Sequence, residues 1–423
     1  MAGAVIVSRM TSGPVRSLRP HRLVPMSGRN PQDAHRAATP LELLYDLTLV
    51  VAFSIAGSQF AHSLSAGHVW SGLLAFLFCM FAIIWAWMTY AWFASAYDTD
   101  DWGFRIATLV QMLGVTILAL GIGDLFAGFD EGVLDNGVIV VGYVIMRLSM
   151  VSLWLRAARD DPHHRSVLLG YVKVIGGAQI GWIITAFVPL PIPLLLVLMA
   201  VLYATEVGGS AFLESREGRL PIHAHHIAER FGLLAIITFG EVVLGTTTAV
   251  EAVTAETGWT LDAGVLAFSG ITMVVGMWWV YFSIPYGEIL SRRRTLRVRW
   301  AYSHLAIYSA IAAVGAGLHA VAYYLEHHSE LDAVNTALTV AIPLCAYVVA
   351  VYMLFHLLLP GRDAVHLWLI VGTIACIAIG VVLAVAGASI AWAVLVLTVA
   401  PWISVIGYEV YGDGHIRREL AKL

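Results

Sequence analysis

Residues 70–96 read WSGLLAFLFCMFAIIWAWMTYAWFASA, a run without one charged residue. A helix needs about 20 predominantly apolar residues to cross the hydrocarbon core of a bilayer, and this run exceeds that length. Working outward from it, further stretches of the same kind occupy most of the chain: 41–63, 104–126, 134–156, 166–187, 190–212, 227–249, 261–285, 300–323, 335–358, 365–386 and 389–410. Only Pro189, Pro191 and Pro193 divide the fifth from the sixth. The sequence therefore predicts an all-α, polytopic transmembrane bundle of twelve spans, with almost no room for a soluble domain.

Composition excludes the other classes. Of 423 residues, 59% are hydrophobic and 12% are charged, whereas a soluble chain carries about 25% charged residues. The mean hydropathy is +0.81. Cys79, Cys345 and Cys376 sit in apolar runs, with neither a disulfide framework nor a CxxC metal pattern. The formal net charge of −4 offers no basic surface for nucleic acid. The bilayer is the expected partner, and the cell (plasma) membrane the expected location. No Walker motif or other cofactor-binding sequence is present, so no cofactor is expected.

Charge placement fixes an expected orientation, because Lys and Arg are retained on the cytoplasmic side. Arg9, Arg16, Arg19, Arg22, Arg29 and Arg36 precede the first span. Alternate loops hold Arg156, Arg159 and Arg165, then Arg216 and Arg219, then Arg292, Arg293, Arg294, Arg297 and Arg299, then Arg362, and finally Arg417, Arg418 and Lys422. The opposite loops hold acids such as Asp130, Glu131, Glu251, Glu326 and Glu330 and no Lys or Arg. Both termini are expected to be cytoplasmic. Residues 1–38 lack an apolar core, so they read as a disordered Arg-rich tail rather than a signal peptide. Met26 is an alternative start.

The chain also resembles itself. A shift of 189 residues sets Trp70 on Trp259, Met88 on Met277, Phe93 on Phe282 and Tyr97 on Tyr286; a shift of 187 sets Glu42 on Glu229. Glu206-Val207 recurs as Glu409-Val410. Six spans per half preserve orientation, so the expected layout is two parallel repeats, 39–215 and 216–412, followed by a short tail at 413–423.

Ionisable groups inside the membrane are expensive and need a partner or a purpose. The first span opens TPLELLYD (39–46), which places Glu42 and Asp46 four residues apart on one helix face. Thr39 and Pro40 suit a helix start, and acids there also suit the helix dipole. The seventh span opens HAHHIAERFG (223–232). His226, Glu229 and Arg230 gather there, and with His223 and His225 they raise a metal reading alongside a plain interfacial one. Glu241 lies about 18 Å further along that helix, deep enough that its carboxyl must be paired or protonated. Arg147, in the fourth span, is the buried cation expected to neutralise Glu42 or Asp46. Asp98, Asp100 and Asp101 form an acidic loop after the second span, suited to a divalent cation, to capping the third span, or to pairing with Arg105. Asp124, Glu206, His304, His319 and Glu409 read as lesser candidates, mostly near span ends. Trp85 and Trp278 fit either an aromatic belt or a cavity wall.

Three of these stretches, TPLELLYDLTLVVAF (39–53), WAWMTYAWFASAYDTDD (85–101) and HIAERFGLLAIITFGEVVLG (226–245), resemble the bacterial low temperature requirement A family, LtrA. The resemblance implies an integral membrane protein linked to growth in the cold. It makes Glu42, Asp46, Asp98, Asp101, His226, Glu229, Arg230 and Glu241 the family-type polar set. Three functions remain open: a proton-linked transporter or permease of a small substrate, a Mg-dependent intramembrane enzyme acting on a lipid or isoprenoid diphosphate, and a structural or sensory protein of cold adaptation.

Overall fold

The computed structural model describes residues 23–30, 37–132, 134–188, 190–215, 220–359 and 364–421. Among them there is no strand, and twelve helices are long and apolar enough to cross a membrane. They are α1 (Pro40–Ser65), α2 (Val69–Tyr97), α3 (Trp102–Glu131), α4 (Gly137–Asp160), α5 (Arg165–Phe187), α6 (Ile192–Ser215), α7 (Ala224–Ala255), α8 (Leu261–Arg292), α9 (Arg294–Leu325), α10 (Ala333–Leu358), α11 (Val365–Val385) and α12 (Ile390–Gly412). Each expected span coincides with one of them. A short helix, α13 (Asp413–Ala421), follows.

The helix ends follow local chemistry. Thr39 and Glu42 form a capping box at the start of α1, with Pro40 in the first turn. Asp101, Thr260 and Asp332 cap α3, α8 and α10 by accepting backbone N–H groups. Irregularities punctuate three spans. α3 breaks at Gly121, α8 is interrupted at Ser283–Pro285, and α12 ends in a π-helical turn over Tyr408–Gly412.

Lipid tails are as apolar as leucine, so helices in a bilayer associate through close packing and hydrogen bonds rather than through apolar burial alone. α9 is the central element, touching α1, α2, α7 and α10. Its approach to α7 depends on glycine: a Cβ on Gly245 would sit 2.3 Å from the Gly315 carbonyl oxygen, and one on Gly315 would sit 2.6 Å from that of Glu241. α3 and α4 meet the same way, through Gly114 and Gly142.

The polar lead is partly ordered against the bundle. Met26 is fully buried and its N–H donates to Asp160 at 3.0 Å, while the N–H of Arg29 donates to Ala96 O at 3.1 Å. Residues 23–30 thus differ from the disordered tail expected for 1–38, because Asp101, Asp160 and Ala96 supply acceptors for their backbone. Residues 1–22 and 31–36, with Arg216, Arg219, Arg362 and Lys422 of the orientation argument, lie outside the described residues.

Candidate functional site

α1 and α7 lie side by side and share a buried charge cluster. The Glu42 carboxylate approaches Arg230 Nη1 at 3.0 Å and His226 Nε2 at 3.3 Å. Asp46 Oδ1 accepts from Arg230 Nη2 at 2.6 Å and from the Trp87 indole at 2.7 Å. All four ionisable side chains are fully buried. The four-residue spacings of Glu42–Asp46 and His226–Arg230 stack each pair on one face, so the two faces meet as a square of ionisable side chains. Around it stand Tyr45 and Tyr90, with ring centroids 4.2 Å apart, and the Arg230 guanidinium lies 5.8 Å from the Tyr90 ring.

Further along the same two helices lies Glu241. It is 4% exposed, and among the described residues no hydrogen bond or ion pair reaches its carboxyl. A methyl group on Gly57 of α1 would stand 3.6 Å from its Oε2. Gly57 is eleven residues beyond Asp46, and Glu241 eleven beyond Arg230. Two contacts with equal offsets mean that α1 and α7 run parallel and in register.

A second polar centre lies inside the first half. Glu206 of α6 accepts from Trp85 Nε1 (2.9 Å), the Tyr143 hydroxyl (2.9 Å), Arg147 Nη2 (2.7 Å), Trp182 Nε1 (3.0 Å) and Gln179 Nε2 (3.3 Å). This corrects the expected pairing: Arg147 neutralises Glu206 rather than Glu42 or Asp46. The cause is placement on the helix, since Arg147 points with Tyr143, one turn away, toward α6. Glu206 is missed as a leading residue because the sequence reading ends its span at 212, whereas the helix continues to Ser215 and carries Glu206 inward. Its signal was an acid inside an apolar run, the same signal that marks Glu241. Two turns on, Glu214 accepts from Trp92 (3.1 Å) and Tyr171 (2.8 Å).

Other candidates do not join these centres. Glu229 is exposed, and its carboxylate accepts from the Ala38 N–H at 3.4 Å, just before α1. His223 caps α7 and His225 is exposed, so the three histidines do not converge. Among the described residues no group of three or more His, Cys, Asp or Glu is arranged to hold a metal. The acidic loop is committed to arginines. Asp98 lies 3.8 Å from Arg29, Asp100 3.0 Å from Arg105, and Asp101 both caps α3 and pairs with Arg156. Burial opposes ionisation of Asp101, but Arg156 and the N–H groups of Phe104 and Val24 outweigh it and hold the carboxyl well below the usual carboxylate range. Trp85 is buried, whereas Trp278 is 42% exposed.

This geometry sits within a chain whose residues 37–401 match the bacterial low temperature requirement A protein (LtrA) family. The chain belongs to the LtrA family. The buried clusters of α1 and α7 fall in the stretches that carry the LtrA resemblance. A curated but uncharacterized protein of Rhizobium meliloti (strain 1021) is 28% identical over 323 residues, covering 72% of this chain and 74% of that one. No solved structure matches the chain. Family membership and the twelve apolar helices together make this a multi-pass membrane protein.

Proposed function

We propose that this LtrA-family protein is a proton-linked transporter or permease of a small substrate in the cell membrane. The observation that carries the reading is Glu241. A carboxyl buried deep in a span and left without a partner is costly, and a group able to take up and release a proton gives that cost a purpose. Glu241 lies between the same two helices as the Glu42–Asp46–Arg230–His226 cluster, so protonation at one level can bias packing at the other.

The proposed architecture is a pair of parallel six-helix repeats with both termini cytoplasmic. Several contacts support it. α1 and α7, the first helix of each half, run parallel. The neighbours α1·α2, α1·α3, α3·α4, α4·α5 and α5·α6 recur as α7·α8, α7·α9, α9·α10, α10·α11 and α11·α12. In each half a tryptophan of the second helix donates to the Glu-Val glutamate of the sixth: Trp85 to Glu206, and Trp279 to Glu409 at 3.0 Å. Parallel repeats of this kind rock against each other in known transporter designs, with sites at the repeat interface. The enzyme reading draws less support, because the acids it would need for Mg²⁺ already pair with arginines.

The test is uptake into proteoliposomes of a panel of labelled amino acids, amines and organic acids, with and without an imposed pH gradient. Wild type should accumulate at least one of them in response to the gradient, and Glu241→Gln should lose that response. Uptake that ignores both the gradient and the substitution overturns the proposal.

A further inference from the structure

Between α2, α4, α5, α6 and α9 lies a cavity of about 20 Å³. That is room for one group the size of a water molecule. Its wall contains Trp85, Trp92, Trp154, Tyr171 and Tyr302 together with Glu214, Ser210 and Thr89, and among the described residues the buried indole N–H of Trp154 has no acceptor. The hydroxyl of Ser210 is buried and, among the described residues, has no hydrogen-bond partner. Thr89 is engaged, donating to Ala86 O at 2.9 Å and receiving Arg147. The Arg147 charge is balanced by Glu206 at 2.7 Å, so it does not set the sign of the field in the cavity alone.

From this we propose a binding site for ammonium or for the NH₃⁺ head of a primary amine. Three features converge. Five aromatic residues line the space, Trp154 and Tyr171 stacked on each other with centroids 4.3 Å apart, and aromatic rings attract a cation, Trp most strongly. Both Trp85 and Trp92 donate their indole N–H to carboxylates, Glu206 and Glu214, which leaves their rings richer in electrons. Glu214 and Ser210 then supply acceptor oxygens for the N–H groups of the ion. A bare metal cation is served worse, because hard cations want a shell of six or more oxygens and this wall is mostly carbon. A quaternary ammonium is too large for the space.

The second half gives an internal contrast. The corresponding helices α8, α10, α11 and α12 enclose a cavity of about 60 Å³, lined by Tyr352, Phe355, Leu369, Tyr408 and others, with no carboxylate among the described lining residues. Among the described residues the proposed cation site thus has no carboxylate-lined counterpart in that cavity. The site does not depend on transport, since binding is measurable without any gradient.

The experiment is tryptophan fluorescence of the purified full-length protein in detergent near neutral pH. It is titrated with ammonium chloride or methylammonium chloride against sodium, potassium and tetramethylammonium chloride at matched ionic strength. A saturable change is expected for the first two alone. Glu214→Gln should weaken it by about tenfold to a hundredfold, the worth of a charge-assisted hydrogen bond, and Ser210→Ala should weaken it several-fold. Should Glu214→Gln not fold, Ser210→Ala together with a rise in the wild-type melting temperature in ammonium over sodium carries the test. An equal response to potassium or tetramethylammonium, no response beyond salt, as a resident water predicts, or undiminished binding in the variants overturns the assignment.

Discussion

Arg230 holds two carboxylates in a place where neither could stand alone. Removing one partner of a buried ion pair leaves the other charge uncompensated and costs about 3–5 kcal/mol. Arg230→Gln is therefore expected to lower the melting temperature of the solubilised protein sharply, and Arg147→Gln to do likewise by stranding Glu206. Trp87→Phe removes only one donor from Asp46 and should cost about 1–2 kcal/mol. Thermal unfolding followed in detergent checks the order; an Arg230→Gln protein as stable as Trp87→Phe would show the cluster to be loosely held. Outside the membrane, Asp101 gives a pH signature. Its folded-state carboxyl titrates below the unfolded value of about 4, so its contribution is complete above that pH and is lost as pH falls through the folded value. Hydrogen exchange at the Phe104 amide, corrected for intrinsic rate, should lose protection in that acid range. Asp101→Asn, whose amide oxygen can still cap Phe104, should make the protection independent of pH in that range, and Asp101→Ala should show low protection at every pH.

At the scale of the element, the contact between α7 and α9 decides where Glu241 sits. A Cβ on Gly315 would fall 2.6 Å from backbone, which cannot yield as a flexible side chain would, whereas a Cβ on Gly240 meets nothing within 4 Å. Gly315→Ala should cost about 1–3 kcal/mol through overpacking, and Gly240→Ala should be neutral or stabilising by up to about 1 kcal/mol. Equal melting temperatures for the two variants would mean that the helices are free to separate. The same elements show what a sequence reveals. The twelve spans were legible because crossing a bilayer imposes a length that few other structures need. The Thr39–Glu42 cap and the shared face of Glu42 and Asp46 were legible because they are local. Partner choice was not, since it depends on how each helix is rotated about its axis in the bundle. Arg147 was recognisable as a buried cation, but its turn toward Glu206 comes from tertiary packing. Likewise Glu229 carried the spacing of a site residue, and only the rotation of α7 puts it outside.

At the scale of the whole molecule, the distribution of arginine bears on which face of the bundle lies in the cytoplasm. The two faces are distinct. One gathers Arg156, Arg292, Arg293, Arg294 and Arg297, with the ordered lead across it. The other joins the α1–α2 turn to the α9–α10 loop, where the Glu330 N–H donates to Ser65 O at 2.8 Å. Since arginine-rich loops resist translocation, the first face should be cytoplasmic, and the even number of spans then places both termini there. Ser291 and His328 are exposed on the opposite faces, and the native Cys79, Cys345 and Cys376 are buried or half-buried. In intact cells, His328→Cys should react with a membrane-impermeant maleimide. Ser291→Cys should react only after permeabilisation. The reverse pattern would invert the molecule and place the Arg-rich face, with the cavity-lining Glu214 near the end of α6, on the outside. Labelling of both variants in intact cells would mean an odd number of crossings between residues 291 and 328 is wrong, and with it the parity on which the parallel repeats depend.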